Sequence, residues 1–517
     1  MIKIGACWLL SGLVSAAVAQ TSAPPGDPSP VIVFPPVILP DSLPTNAPAR
    51  PLSLPDCIAE ALQHNFDVRV ERYAPEEAQL SLAEAYAGYD PTLNIAGQHN
   101  YNHSGGEFLN GLLVPSQISD ENYFNSSLGG SLPSGMQYTL SGNVGESYGA
   151  TGGSPFDSTS GNIGVNFTQP LLKNLWIDGT RLAITSAKNQ LKQSVQGLRA
   201  QLITTVSAVE NAYFELIYAI ENVTVQEQAL YLAQTQLDQD RQRVQVGSLA
   251  PLDVQQDQAQ VAQSKANLIS AVSTLGTDQR VLKNLITDEY STTFAADIQP
   301  TMTLDAPLQL FDLQDSWSKG MTERPDLLQA RLTLEQQGIQ LKYDRNQLFP
   351  ELDLVGSYGF NGTGKEFSDA FGQYAEGNRP FYSYGGQLSV PLSNLKARSV
   401  LKADKAVEQQ DLLKLKQLEQ NILVEIDNAV GVARSDYESV QATKEARIYA
   451  EAALDAEQRK YAVGKSTTFT VLQLQNTLTS DRAAEIRALA NYQEALTALA
   501  QQEGSTLERR NVTVTAK

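Results

Sequence analysis

Two halves of the chain repeat one another, and this duplication constrains the fold more than any other feature. The segment 54–97 aligns without gaps with 313–356, and a Val-Gly pair at 246–247 recurs at 463–464 in a similar context. Recurring segments in a constant order are typical of repeated structural units. The sequence therefore predicts two structural repeats. Their predicted bounds are 52–285 and 313–502, with an equatorial connection at 286–312.

Each half contains a helix that is too long for a compact domain. In the first half, apolar residues follow one another in steps of three and four, which is the seam of a coiled coil. The helix is predicted from about 178 to 245 and spans roughly 100 Å. Toward its end the seam turns polar at Glu227, Gln234 and Arg241, so we expect this end to be looser or to face water. The apolar seam residues are Leu202, Val206, Val209, Tyr213, Leu216, Ile220, Val223, Leu230, Leu237 and Val244.

Both long helices break at the recurring Val-Gly pair. Gly247 and Gly464 are predicted to supply the left-handed backbone that ends a helix, and Pro251 suits the first turn of a new one. Each break follows a long helix that leaves the strands. Each half is thus predicted to form an antiparallel helical hairpin, with both hairpin tips at the same end.

The strands alternate between apolar and small polar residues. In 352–360, Leu352, Leu354, Tyr358 and Phe360 share one face, and 382–392, 92–101 and 162–172 alternate in the same way. Alternating segments of about ten residues with aromatic residues at their ends are typical of transmembrane β-strands. A soluble sheet with one wet face has the same pattern. The signal peptide described below favours the membrane interpretation.

So few strands cannot close a barrel alone, yet lipid does not tolerate an unpaired sheet edge. The sequence therefore predicts a ring-shaped homo-oligomer whose copies share one barrel. The fold class is α+β, with long antiparallel coiled-coil helices and a shared β-barrel.

Three further segments lie outside the repeats. Residues 1–19 are predicted to be a signal peptide, because Lys3 precedes an apolar stretch that ends in a small-residue cleavage site. Residues 20–51 are rich in proline and are predicted to form an extended arm. Residues 503–517 are predicted to be a polar C-terminal tail.

The composition excludes several classes of protein. The net charge of −19 argues against nucleic acid as a partner, and two cysteines give no disulfide framework. The S-x-x-K motif at 316–319 lacks its partner motifs, and the three histidines have no further ligand in a metal-binding spacing. We predict that the chain is not an enzyme and has no catalytic, cofactor or metal site.

The chain resembles the TolC-like outer membrane efflux protein family from about Leu52 to Glu503. The resemblance lies in RVQVGSLAPLDVQ and its counterpart KYAVGKSTTFTVL, in RPDLLQA, in the strand starts DPTLNI and FPELDL, and in the strand ends FTQPL and LSVPL. It implies a homotrimer with one barrel in the outer membrane and one helical tunnel through the periplasm. It also implies an α/β belt, drawn here from 286–320 and the tail after 503.

The resemblance implies a function as well. Members of the family are the passive exit ducts of tripartite efflux pumps and type I secretion systems. The partners are then outer-membrane lipid, a periplasmic adaptor protein and an inner-membrane transporter, and the location is the outer membrane of a Gram-negative-type bacterium. The alternative is a structural or adhesive coiled-coil surface protein that conducts nothing. Two matched breaks favour the duct, because a filament needs no matched tips.

Between His99 and Asn162 the chain has more alternating segments than the family pattern. They lie near 123–132 and 136–146, around the turn-like sequence LPSG. They either add a hairpin to the barrel, for six strands per chain and about 18 in a trimer, or decorate an extracellular loop. The hairpin is the preferred interpretation.

The resemblance also places the entrance of the duct at the hairpin tips. The matching tip residues, expected to contact the adaptor, are Val246, Gly247, Ser248, Val463 and Gly464. Asp253 matches an entrance aspartate and Tyr461 a tyrosine of the closure network, whereas Thr470 and Gln473 stand where the family has aspartates. Ser466 replaces an arginine, so the family's salt-bridge lock does not carry over whole; Lys465 is the candidate substitute.

Simpler roles exist for the same entrance residues. Asp253 in the first turn after Pro251 also complements the helix dipole. Tyr461 also fits ordinary seam packing. A ring of three Asp253 side chains would favour cations at the entrance.

Overall fold

The computed structural model describes residues 50–109, 111–114 and 116–513, which belong to one unit, Pro48–Lys517. The predicted signal peptide at 1–19, most of the arm at 20–51 and the last four residues of the tail lie outside the described residues. In chain order the elements are β1 (Arg50–Leu52), α1 (Leu54–His64), α2 (Phe66–Glu71), α3 (Tyr73–Tyr86), β2 (Thr92–Ser104), β3 (Glu107–Leu109), β4 (Leu112–Val114), β5 (Gln117–Ser131), β6 (Gln137–Thr151), β7 (Ser154–Pro170), α4 (Gly179–Gln245), α5 (Pro251–Ile286), α6 (Tyr290–Thr293), β8 (Ile298–Pro300), α7 (Leu313–Glu323), α8 (Pro325–Asn346), β9 (Glu351–Gly364), α9 (Phe367–Glu376), β10 (Pro380–Ser389), α10 (Leu395–Ala462), α11 (Thr468–Glu503) and α12 (Thr506–Arg509).

Two long helical hairpins dominate the structure. The first consists of α4 with 67 residues and α5 with 36, and the second consists of α10 with 68 and α11 with 36. The Asp178 side chain caps α4 by accepting a hydrogen bond from the Arg181 amide at 2.7 Å, which fixes the start close to the predicted residue 178. At 1.5 Å per residue, α4 is about 100 Å long.

The seam of α4 is confirmed in its first half and differs near its end. Leu202, Val206 and Tyr213 are buried as predicted. Near the tip, however, Glu227, Gln234 and Arg241 are exposed. Their places in the interface are taken by other residues one or two positions away along the helix: Val225, Ala233, Gln236 and Asp240. The predicted Leu237 stays buried with them, so the stripe keeps part of the seven-residue repeat and replaces the rest by neighbouring positions.

Six strands form one antiparallel sheet in the order β10-β9-β7-β6-β5-β2. The segments near 123–132 and 136–146 belong to β5 and β6, which form a hairpin inside this sheet between β2 and β7. The preferred interpretation of these segments as a hairpin therefore agrees with the structure. The turn that joins them is held at the helical end of the sheet, where the Arg181 guanidinium donates to the Pro133 carbonyl at 3.1 Å.

The two faces of the sheet differ in chemistry across all six strands. One row of directly paired residues is apolar or aromatic throughout, and every member is exposed: Leu93, Leu128, Leu140, Val165, Tyr358 and Tyr382. A row on the opposite face is almost entirely asparagine: Ala96, Asn125, Asn143, Asn162 and Asn361. The Asn143 amide donates to the Asn162 carbonyl at 2.6 Å. An exposed apolar face of this extent is unusual on a protein surrounded by water.

The amphipathic helix α9 covers part of the apolar face. It packs against β9 and β7, the Phe367 ring meets the Phe124 ring edge-on at 5.7 Å, and the Tyr374 hydroxyl donates to the Asn143 carbonyl at 3.1 Å. Among the described residues, no helix is both long and apolar enough to cross a membrane.

A small mixed region surrounds the middle of the helices. β1 pairs in parallel with β8, and the buried Tyr213 hydroxyl donates to the Leu52 carbonyl at 3.1 Å. The end of the predicted arm is thus a strand. The predicted polar tail also packs: Leu507 in α12 is buried, and Val512 lies against the same core, because both side chains are apolar.

Candidate functional site

The tips of the two hairpins lie side by side at one end of the helices. We call the residues 246–250 between α4 and α5 the first tip, and 463–467 between α10 and α11 the second tip. Gln260 on α5 and Asn476 on α11 exchange two side-chain hydrogen bonds, of 2.6 and 3.1 Å. The Tyr461 hydroxyl, just before the second tip, donates to Asp240, just before the first, at 2.7 Å.

The two tips share one backbone conformation. The glycines have left-handed φ angles, 76° at Gly247 and 73° at Gly464. The Ser248 amide donates to the Arg243 carbonyl at 2.9 Å, and the Lys465 amide donates to the Lys460 carbonyl at 2.9 Å. This is the Schellman arrangement that satisfies the last carbonyls of a helix. The predicted left-handed glycines are confirmed.

The predicted adaptor-contact residues are accessible. Val246 is 79% exposed and Val463 is 68% exposed, although valine is usually buried. Gly247, Ser248 and Gly464 are exposed beside them. Large apolar side chains on the first turns of the next helices, Leu252 and Phe469, are exposed as well.

A cluster of buried polar residues joins the hairpins behind the tips. The fully buried Asp240 carboxylate accepts hydrogen bonds from Tyr461 and, at 2.8 Å, from the Gln236 amide. Thr468, at the start of α11, donates to the same carboxylate at 3.3 Å. The Arg243 guanidinium lies 3.6 Å from Asp240 and over the Tyr461 ring. Burial, with the charge of Asp240, raises the pKa of the Tyr461 hydroxyl.

The structure places the other predicted entrance residues at the surface or partly buried. Asp253 is half-buried in the first turn of α5, where its amide donates to the Ala250 carbonyl. Lys465 is exposed, and the ion pair next to it joins Lys460 to Glu457 at 2.8 Å. The proposed pairing of Lys465 with an acid stays a prediction.

Thr470 and Gln473 lie on α11. The Thr470 amide donates to the Thr467 hydroxyl at 3.3 Å, so Thr470 belongs to the cap of this helix. Gln473 is exposed and lines the groove between α5 and α11 together with Gln256 and Gln260. Of the two aspartates, Asp240 and not Asp253 accepts the hydrogen bond of the Tyr461 hydroxyl.

Two residues of this cluster, Asp240 and Asp257, are not among those predicted from the sequence. Both carboxylates are fully buried. Asp240 stands three residues after Leu237 and four before Val244, a spacing that is as compatible with the seam as that of Arg241. Asp257 begins a buried heptad series with Ser264 and Ala271 on α5, and this spacing is the signal in the sequence that points to it.

No group of three or more His, Cys, Asp or Glu side chains is arranged to hold a metal ion in the described part of the chain. The cluster at the tips is a hydrogen-bonded link between helices. The chemistry available to it is proton exchange and the opening or closing of the contact between the hairpins.

Comparisons with known proteins concern the family and the fold of the chain. The family model for the outer membrane efflux protein matches residues 57–287 and 318–505. The outer membrane protein TolC of Escherichia coli (strain K12) is 27% identical over 299 residues, which are 56% of this chain and 59% of TolC. The matched region thus spans less than two thirds of TolC.

Two further proteins extend the comparison. The pyoverdine export outer membrane protein OpmQ of Pseudomonas aeruginosa is 25% identical over 363 residues, which are 67% of this chain and 72% of OpmQ. The structure of the CmeC outer membrane channel of Campylobacter jejuni superposes with a TM-score of 0.64 at 15% identity. That superposition covers 88% of this chain and 86% of CmeC, and it shows a shared fold.

Proposed function

The chain belongs to the outer membrane efflux protein family, and from this membership we propose that it is the passive exit duct of a tripartite efflux or type I secretion system. Membership confirms the resemblance and the outer-membrane location predicted from the sequence. In the proposed function, substrate passes through periplasm and outer membrane inside a homotrimer. The partners are a periplasmic adaptor and an inner-membrane transporter, which supplies the energy.

The observation that carries the proposal is the six-stranded sheet with its apolar outer row. Within the described residues its end strands, β2 and β10, are each paired on one side only. In lipid such edges must find partners. Three copies joined edge to edge would satisfy them with about 18 strands. The exposed row from Leu93 to Tyr382 would then face lipid, and the asparagine row would face the lumen.

The helices supply the second half of the duct. Two hairpins per chain, each led by a helix of about 100 Å, have the dimensions of a tunnel wall, and the proposal treats them as two structural repeats. The β1–β8 pair and the tail would form the belt around them. Both tips lie at the end away from the sheet, which is where an entrance would meet an adaptor.

At this entrance we assign the exposed Val-Gly pairs to adaptor contact and Asp253 to the pore-side charge. A ring of three such carboxylates favours cations in a narrow passage. Selection among drugs, metals and proteins belongs to the transporter, because a duct of this kind discriminates only by size and charge.

The test is electrical. The purified full-length trimer, inserted into planar bilayers, is expected to give discrete channels. Asp253→Ala should lower the preference for cations and leave the channels intact. Thr470→Ala is the matched control, since Thr470 has the corresponding place in the first turn of α11 and carries no charge.

A trimer that never conducts, in the native form or as Asp253→Ala, would overturn the proposal. Equal loss of cation preference in Asp253→Ala and Thr470→Ala would leave the duct standing and remove Asp253 from its role.

A further inference from the structure

Asp257 is a buried acid with no visible partner. Its side chain is fully buried on α5, and within the described residues neither of its carboxylate oxygens has a hydrogen-bond partner. An ionised carboxylate in such a place is far less stable than one in water. The structure at the first tip therefore requires either a proton or a cation at this position.

The neighbour of Asp257 explains which of the two is needed. Burial raises the pKa of Asp257, and Asp240 on α4 lies close enough for its charge to raise that pKa further. Two ionised carboxylates have no proton to share, so they form no hydrogen bond; one proton between them supplies the donor. The Asp240 oxygens already accept hydrogen bonds from Gln236, Tyr461 and Thr468, so the proton is assigned to Asp257, whose oxygens have no such donors.

We propose that Asp240 and Asp257 form a proton-binding site, and that the bound proton keeps the two hairpins closed against each other behind the tips. When the proton leaves, two buried charges face one another, and the stable arrangement is one in which water reaches them. Because Asp240 is also the acceptor for Tyr461 and Thr468, that arrangement separates the first hairpin from the second.

The groups around the site support this assignment. From α4, Arg243 pairs with Asp240; from α5, Asp253 adds a second negative charge near Asp257. From α10 the facing group is the Tyr461 hydroxyl, whereas Glu457 is engaged by Lys460 and Ser466. From α11 it is Thr468, which does not titrate. The positive charge of Arg243 thus compensates Asp240, and Asp257 remains the group that must be neutral.

The pH range follows from the sign of the shift. Burial raises the pKa of Asp257 from its ordinary value of 3.8 to about 7, and the charges of Asp240 and Asp253 add to this effect. The closed state therefore binds more protons than an open, hydrated state. Its stability is highest at low pH and falls as the pH rises toward about 7. Above that value it no longer changes, because both states have lost the proton.

The experiment uses the full-length trimer and two readouts that need no pore. The first is the infrared carbonyl band of a buried protonated acid, read from the difference between the spectra of wild type and Asp257→Asn. The second is amide hydrogen exchange in the first turns of α5 and α11, corrected for the intrinsic effect of pH. Since the inference rests on the proposed duct only for its biological meaning, a trimer that fails to conduct does not affect either readout.

The expected result is a band that disappears near neutral pH and is missing in Asp257→Asn. In wild type, the equilibrium constant for opening of the helices near the tips, measured by hydrogen exchange, should rise with pH. The rise should be up to about tenfold per pH unit between the ordinary and the raised pKa of Asp257. In Asp257→Asn it should stay constant, because the amide is neutral at every pH and can donate to Asp240.

The matched control is Asp344→Asn. Asp344 on α8 is another buried acid, and burial and Asp404 raise its pKa to about 6. It lies near the end of α8 that leads into strand β9, where α8 packs against the start of α10, and not at the tips. It should leave the pH dependence at the tips as in wild type. The wild-type profile alone decides the matter if a variant does not fold.

Three outcomes overturn the proposal. The first is that amide exchange at the tips of wild type does not change with pH. The second is that Asp257→Asn retains the wild-type pH dependence. The third is that calcium, magnesium or EDTA shifts the exchange rates in wild type and not in Asp257→Asn. The last outcome would make the pair a cation site.

Discussion

Between α4 and α5 the chain turns through Val246 and Gly247, and between α10 and α11 it turns through Val463 and Gly464. The backbone hydrogen bonds and the left-handed glycines are the same in both. The side chains behind the turns are different. An ion pair precedes each turn, Asp240 with Arg243 in the first hairpin and Glu457 with Lys460 in the second, but only in the first pair is the acid fully buried.

The clearest difference is at Asp257. Counted from the turn glycine, its place in the second hairpin is held by Leu474, which packs against a cluster that contains Tyr461 and Val471. The second hairpin thus fills this position with an apolar side chain, and the first fills it with a buried acid. The backbone of a tip does not require the acid, so its presence in the first hairpin calls for a functional explanation.

Exchanging these two side chains should have the largest effect. Leu474→Asp places a negative charge against a cluster whose side chains are mainly apolar, and we expect the second hairpin to lose about 3 kcal/mol of local stability at neutral pH. Asp257→Leu removes a buried acid and should be neutral or stabilise by about 1 kcal/mol. Hydrogen exchange of α11 and α5 near the tips measures both. Equal costs for the two exchanges would mean that the hairpins are interchangeable here.

The turn glycines should behave alike. A Cβ atom added at Gly247 or Gly464 meets no atom within 4 Å, so alanine is penalised only by the left-handed backbone, at about 1–2 kcal/mol in either tip. Asparagine, which tolerates this conformation, is the control and should cost less. The rate of limited proteolysis at each tip follows the population of opened turns. A clearly larger effect at one glycine would contradict the shared backbone.

The long elements of this fold could be predicted from the sequence because they depend on local patterns. The helix predicted from about 178 is α4, which starts at Gly179 after its Asp178 cap. The alternation in 352–360 correctly predicts that Leu352, Leu354 and Tyr358 share the apolar face of the sheet. Strand periodicity does not depend on the partner strand.

The buried pair could not be predicted in the same way. Arg241 is the seam residue predicted from the sequence, and the structure buries Asp240, one residue earlier. Steps of three and of four residues are both compatible with a helical stripe, and only the packing of α4 against α5, α10 and α11 decides between them. The family resemblance pointed to Tyr461 as an entrance residue, but neither the resemblance nor the spacing pointed to its partner Asp240.

The smallest expected effect concerns how α5 and α11 begin. Thr467 caps α11 by accepting from the Thr470 amide, whereas Ala250 offers α5 no side-chain cap and Pro251 stands at its first position instead. Thr467→Ala should cost about 1 kcal/mol of local stability, and Ala250→Ser should add about 0.5 kcal/mol by giving the Asp253 amide an acceptor. The exchange rates of the Thr470 and Asp253 amides report each change. If Thr467→Ala has no effect, the start of α11 is held by the burial of Thr468 and its bond to Asp240. The first hairpin would then determine where the second one begins.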